Sequence, residues 1–231
     1  MNTREDKFSS SMVQTPPSGI RKFFEMLIGH DDVISLSVGE PDFPTPWCIR
    51  EEAFYHLEKG HTSYTSNWGL LELREEISKY MQKYNMHYNP QKEILITVGA
   101  SEGVDASLRA ILNPGDEIIV CQPCYVNYVP LARLCEVNVV PIDTSVNGFY
   151  PTAEQIEKAV TPKTKAVMIC SPNNPTGTMI PKDELEKIAE GVKKHQLWVI
   201  SDEIYCELAY DGSEHVSIGS FPEMKDYTII L

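Results

Sequence analysis

No apolar run in this sequence approaches the roughly 18–20 residues that a membrane-spanning helix needs. Basic residues are also in short supply: 20 Lys and Arg stand against 33 Asp and Glu, a net charge of −13. A surface of that sign repels phosphate backbones and anionic lipid, so neither nucleic acid nor membrane is expected as a partner. The opening stretch, 1–14, is polar and lacks the apolar core of a signal peptide. The six cysteines, at 48, 121, 124, 135, 170 and 206, are too scattered in 231 residues for a disulfide scaffold. The reducing cytoplasm is the expected compartment. The six histidines show no H-E-x-x-H or comparable spacing, so no metal site is expected. The glycines fit neither a Walker loop nor a dinucleotide fingerprint, and no internal repeat stands out.

The sequence does contain an ordinary globular composition, 42% hydrophobic and 23% charged. Along it, short apolar runs alternate with stretches of helical spacing. Residues 1–17 read as a polar arm ending in Pro16-Pro17. Ser18 is placed to cap a helix carrying Ile20, Phe23, Phe24 and Leu27, followed by a strand at 33–38 and a turn at 39–46. Helices are expected at 49–59 and 70–84, the second with Leu70, Leu73, Ile77, Tyr80 and Met81 on one face. Strands are then expected at 93–98, 117–121, 137–142, 165–170 and 198–201, with helices near 102–112, 125–134, 153–160 and 182–194. A final strand-like run occupies 227–231, and the sequence stops inside it, as a truncated chain would. Strands alternating with helices imply βαβ units, hence an α/β, three-layer αβα fold around a mainly parallel sheet. Ligands in such folds bind at the carboxyl ends of the strands.

Three segments follow expected strands. In Thr97-Val98-Gly99-Ala100-Ser101-Glu102-Gly103, small residues permit a tight turn and leave the first helical N–H groups free to receive an anion. Taken alone, this also reads as an ordinary strand-to-helix turn. Ser171-Pro172-Asn173-Asn174-Pro175-Thr176-Gly177 is a rigid loop from which asparagine amides project as donors. Ser201-Asp202-Glu203-Ile204-Tyr205 puts an acid and a phenol at a strand end, although an isolated Asp there also reads as a solvated turn opener. Cys121-Gln122-Pro123-Cys124 has the outline of a redox pair, while its other reading is a turn that delivers Tyr125, with the thiols as packing residues.

Together these strings, with Ser37-Val38-Gly39-Glu40-Pro41-Asp42-Phe43 and Tyr64-Thr65-Ser66-Asn67-Trp68-Gly69, resemble class I/II aminotransferases of the aspartate aminotransferase fold, that is, fold type I. The resemblance runs in order from about residue 18 to the end. It implies pyridoxal 5'-phosphate as cofactor, with Asp202 at the pyridine nitrogen and Asn174 and Tyr205 at the phenolic oxygen. It puts Tyr125 on the ring face and Gly99, Ala100 and Ser101 at the phosphate. Tyr64 would reach the neighbouring subunit's phosphate, which implies a homodimer, and Gly39 would lie against the substrate carboxylate. The Asn174–Pro175 bond is expected to be cis.

In domain terms, 1–45 would be an N-terminal arm with part of the small domain, and 46–231 an incomplete large cofactor domain. The family's Schiff-base lysine stands in a Ser-Lys context that would fall just beyond Leu231. Lys225 stands in a different context, so no catalytic residue is assigned within this chain. The expected activity of the whole protein is amino transfer between an amino acid and a 2-oxo acid. A C–S β-lyase and a non-catalytic truncated product are the alternatives.

Overall fold

The structure, a computed structural model, describes residues 7–16, 39, 41 and 43–231. The expected helix after Ser18 and strand at 33–38 lie outside these. Packing divides the chain into two units, Met1–Pro16 with Leu71–Leu231, and Pro17–Leu70. The expected boundary at residue 45 falls within the second of these units.

In the unit Pro17–Leu70, helix α2 spans Trp47–Glu58 (α1 is introduced below). No residue of α2 is buried, and Trp47, Ile49, Phe54 and Leu57 are exposed.

The larger unit is built on five parallel strands: β1 Glu117–Gln122, β2 Asn138–Asp143, β3 Thr164–Cys170, β4 Trp198–Asp202 and β5 Thr228–Ile230. They lie in the order β2-β1-β3-β4-β5. Its helices are α1 Ser10–Val13, α3 Leu71–Met81, α4 Gly99–Ile111, α5 Tyr128–Leu134, α6 Ala153–Ala159 and α7 Lys182–His195. Successive strand residues point to opposite faces, and the buried residues divide accordingly. Ile118, Val120, Ala166, Met168, Cys170 and Ile200 share one core with Val104 and Leu108 of α4 and Tyr128 and Ala132 of α5. Ile119, Val167, Ile169 and Val199 share the other with Ile156 of α6 and Leu185, Ile188, Ala189 and Val192 of α7. The result is the expected three-layer αβα arrangement. Leu108 is fully buried, so Leu108→Ala is expected to cost about 2–5 kcal/mol, read as a lower denaturant midpoint at unchanged slope.

Local signals account for the helix ends. Thr152 and Gln155 form a reciprocal capping box at α6. Helix α7 carries Asp183 and Glu184 in its first turn and Lys193, Lys194 and His195 in its last, complementing its dipole. The arm at 1–17 holds one turn that its polar composition does not announce: α1 forms because the Ser9 hydroxyl accepts from Met12 N–H at 3.3 Å.

The expected strand at 93–98 does not form. These residues run as irregular chain into α4, because a strand exists only with a ladder partner, and none of the five strands pairs with them. An apolar cavity of about 760 Å³ is lined both by this stretch, at Ile94 and Ile96, and by Ile229 and Leu231 at β5. Helix α4 begins at Gly99, three residues ahead of the expected start at 102, and α5 begins at Tyr128 instead of 125.

Candidate functional site

The sheet order reverses between β1 and β3: the chain leaves β1 toward β2 on one side and continues from β3 toward β4 on the other. The carboxyl ends of the strands at such a reversal are the general ligand position in open α/β sheets. The loop after β1 delivers Tyr125, and the loop after β3 delivers Asn173 and Asn174. Asn173 Nδ2 donates to the Pro123 carbonyl at 3.2 Å and so ties the two loops across the reversal. The second loop turns back tightly, with Gly177 at φ +72° and its N–H on the Asn173 carbonyl at 2.7 Å. Asn174–Pro175 is cis, as the resemblance implies, and so are Gln122–Pro123 and Ser171–Pro172.

Asp202 ends β4, on the same face as Ile200, and pairs in register with Cys170. Its carboxylate is buried, accepting from the Tyr128 hydroxyl at 2.5 Å and from Ile204 N–H at 3.3 Å. Burial raises the Asp202 pKa above the ordinary carboxylate value, and the neighbouring Glu203 charge adds to it, against the lowering effect of its two donors. Burial also holds the Tyr128 phenol firmly protonated, so Tyr128 is the donor of this pair. The Cys170 thiol, pushed up to about 11 by burial and then by Asp202, donates to the Pro172 carbonyl at 3.2 Å. Ser171 N–H donates to the Asp202 carbonyl at 3.2 Å, so the loop that carries Asn174 starts against the end of β4.

Asn174 Nδ2 in turn donates to the Tyr205 hydroxyl at 3.2 Å. Tyr125 stands edge-on to Tyr128 with ring centres 5.6 Å apart, and its hydroxyl accepts from Asn127 Nδ2 at 3.1 Å. Tyr125 and Asp202 are thus linked through Tyr128, and Asn174 and Tyr205 through their own bond. The sequence reading missed this linker. Tyr128 had one available signal, an aromatic three residues after Tyr125 at a helix start.

Gly99, Ala100 and Ser101 open α4, where the first N–H groups of a helix have no acceptor inside it. Gly99, at φ +74°, turns the chain into the helix, and its own N–H is used by the Thr97 carbonyl at 2.9 Å. The Glu102 carboxylate bends back to accept from Val98 N–H. Gly99 and Ala100 share a cavity wall with Glu203 and Ile204, the residues directly after Asp202. No hydrogen bond among the described residues joins Gly99–Ser101 to the Asp202 cluster. Gly39 and Tyr64 belong to the other unit, and both are exposed, Tyr64 fully.

The redox reading of Cys121 and Cys124 fails on electrostatics. Both are free thiols, and burial pushes them up to about 12 and about 11, the opposite of an activated thiolate.

The family profile described as "Aminotransferase class I and II" matches residues 31–231. The chain belongs to this family. It is 49% identical over 225 residues to the putative aminotransferase YugH of Bacillus subtilis, covering 96% of this chain and 58% of that one. It is 45% identical to the same organism's probable N-acetyl-LL-diaminopimelate aminotransferase, covering 93% of this chain and 54% of that one. Among solved structures, Thermus thermophilus aspartate aminotransferase with maleate superposes at TM-score 0.90 and 36% identity, over 96% of this chain and 59% of that one. A Pyrococcus protein called protein-A1 superposes at 0.91 and 40% identity, over 95% of this chain and 57% of that one. The chain therefore spans somewhat over half the length of each of these four relatives.

Proposed function

We propose that the full-length protein is a pyridoxal 5'-phosphate-dependent aminotransferase acting between an amino acid and a 2-oxo acid. The observation that carries this is the Asp202 carboxylate, buried at a strand's carboxyl end and held above its ordinary pKa with only neutral donors bonded to it. Such a group favours a cationic partner, which a protonated ring nitrogen supplies. The surrounding donor set fits the same cofactor: an amide and a phenol side by side at Asn174 and Tyr205, and an aromatic face at Tyr125.

When bound, the cofactor supplies an electron-withdrawing ring that takes up the charge left when the amino acid loses its Cα proton. In the proposed arrangement Asp202 keeps a proton on the ring nitrogen, and Tyr128 keeps Asp202 aimed. Asn174 and Tyr205 bond the phenolic oxygen, and Tyr125 lies on the ring face. The N–H groups of Ala100 and Ser101, with the Ser101 hydroxyl, hold the phosphate at the positive end of α4, and Gly99 supplies the turn that presents them. The assignments of Gly39 to the substrate carboxylate and of exposed Tyr64 to a neighbouring subunit's phosphate rest on the resemblance. So do the homodimer and the 1–45 and 46–231 domains. A cytoplasmic location accords with six free thiols; among the described residues, no helix is long and apolar enough to cross a membrane. The relatives differ in named substrate, and the proposal stops at the substrate class.

The test is product analysis on the full-length protein with a panel of amino acids, cysteine conjugates included, and a 2-oxo acid acceptor. A new amino acid formed in step with a new 2-oxo acid is the expected result. Release of thiol and ammonia without amino transfer would show a C–S β-lyase instead.

A further inference from the structure

The segment that carries Tyr205 has little apolar anchorage of its own. Ile204, Leu208 and Tyr210 are exposed, and Tyr205 is only half-buried. Two local turns shape it: Cys206 N–H reaches the Glu203 carbonyl at 2.9 Å, and Leu208 N–H the Tyr205 carbonyl at 2.8 Å. Both bonds lie within the segment and tie it to itself, not to the sheet.

Two carboxylates, two residues before and two residues after Tyr205, tie it to the body of the protein. Glu203 points to the face of the sheet opposite Asp202, as alternation along β4 requires. There its Oε1 accepts from the Ser201 and Ser217 hydroxyls, each at 2.8 Å, and its Oε2 accepts from His215 Nε2 at 2.9 Å. The side chains of His215 and Glu203 are 3% and 6% exposed, so this pairing closes the loop at its base inside the protein. Glu207 works at the surface. It accepts from the Tyr80 hydroxyl at 2.6 Å, the Tyr84 hydroxyl at 2.8 Å and Lys83 Nζ at 2.7 and 2.9 Å. These partners all lie on α3 or the turn after it. None of the bonds involves a residue assigned above to the cofactor.

We propose that Glu203 and Glu207 are positioning residues that clamp the loop from both sides and hold the Tyr205 hydroxyl against Asn174, where the two together grip the cofactor's phenolic oxygen. This rests on the cofactor assignment proposed above. Glu203 and Glu207 act only through Tyr205, so their effect on cofactor binding requires the Tyr205 hydroxyl.

The test is a pair of double-mutant cycles in the full-length protein, combining Glu203→Gln and Glu207→Gln separately with Tyr205→Phe. Pyridoxal phosphate is titrated into each apoprotein and followed by absorbance. Amide hydrogen exchange over 204–210 is measured without cofactor. Each Gln variant is expected to weaken cofactor binding about tenfold, the size of one mispositioned hydrogen bond, and to speed exchange in the loop. In the Tyr205→Phe background the same changes should matter less than about twofold, because coupled residues are not additive. An undiminished tenfold loss in that background, or unchanged affinity in the single variants, would overturn the clamp. If Glu203→Gln does not fold, the cycle with exposed Glu207 decides alone. A wild-type apoprotein that binds no pyridoxal phosphate would overturn the cofactor assignment, and the clamp with it.

Discussion

Asp202→Asn in the full-length protein is expected to lower kcat/KM for amino transfer by roughly a hundredfold or more while leaving the fold intact. The asparagine side chain has nearly the same shape: its one oxygen keeps the bond from Ile204 N–H, and its amide nitrogen takes the place of the oxygen that accepts from Tyr128 and donates to that hydroxyl instead. It carries no charge, so it cannot keep a proton on the cofactor's ring nitrogen, and charge developing in the transition state loses its counterpart in a water-poor site. The stability of the apoprotein should move in the other direction. Burial raises the Asp202 pKa above its unfolded value, so the ionised group opposes folding at any pH above that raised value. The opposition fades as pH falls and is gone below the unfolded pKa, where the group is protonated in both states. The apo variant should therefore match or exceed wild-type stability at neutral pH, with the difference closing on acidification. Steady-state kinetics and thermal unfolding across pH are the measurements, and near wild-type turnover would refute the electron-sink role.

The second large effect is expected from residues 1–231 on their own, which should form no covalent imine with pyridoxal phosphate and give no turnover. Both need a lysine amine beside the cofactor's aldehyde, first as nucleophile and then as base. Lys225, the lysine of this chain nearest to where the family places that amine, is already engaged: Nζ lies 2.9 and 3.0 Å from the Glu93 carboxylate oxygens and 5.2 Å above the Tyr88 ring. The same protein should associate in solution, because β5 is an edge strand bordering an apolar cavity of about 760 Å³. Borohydride reduction with the cofactor followed by peptide mapping, single-turnover kinetics and sedimentation test this together. One specifically labelled lysine within residues 1–231, accompanied by turnover, would mean that another lysine has taken the role.

The sequence by itself determined the features that depend on near neighbours. Apolar runs located all five strands of the sheet within a residue or two, and the helical stretches between them located α6 and α7. Alternation of the two kinds of element implied a parallel three-layer fold. The motifs at the strand ends, read together, pointed to the aminotransferase family and to Asp202, Asn174 and Tyr205. Only the tertiary structure decided the long-range pairings. The bond from Tyr128 to Asp202 spans 74 positions and that from Asn174 to Tyr205 spans 31. No local pattern encodes which hydroxyl meets which acid. At 93–98 the β-forming residues are present and the strand is not, because strand formation needs a partner backbone and the segment supplies half of one. Glu203 and Asp202 are adjacent carboxylates on one strand end, identical in kind to a reader of sequence. Alternation sends one into the candidate site and the other behind the sheet, and what each then meets is set by residues brought there from elsewhere in the chain.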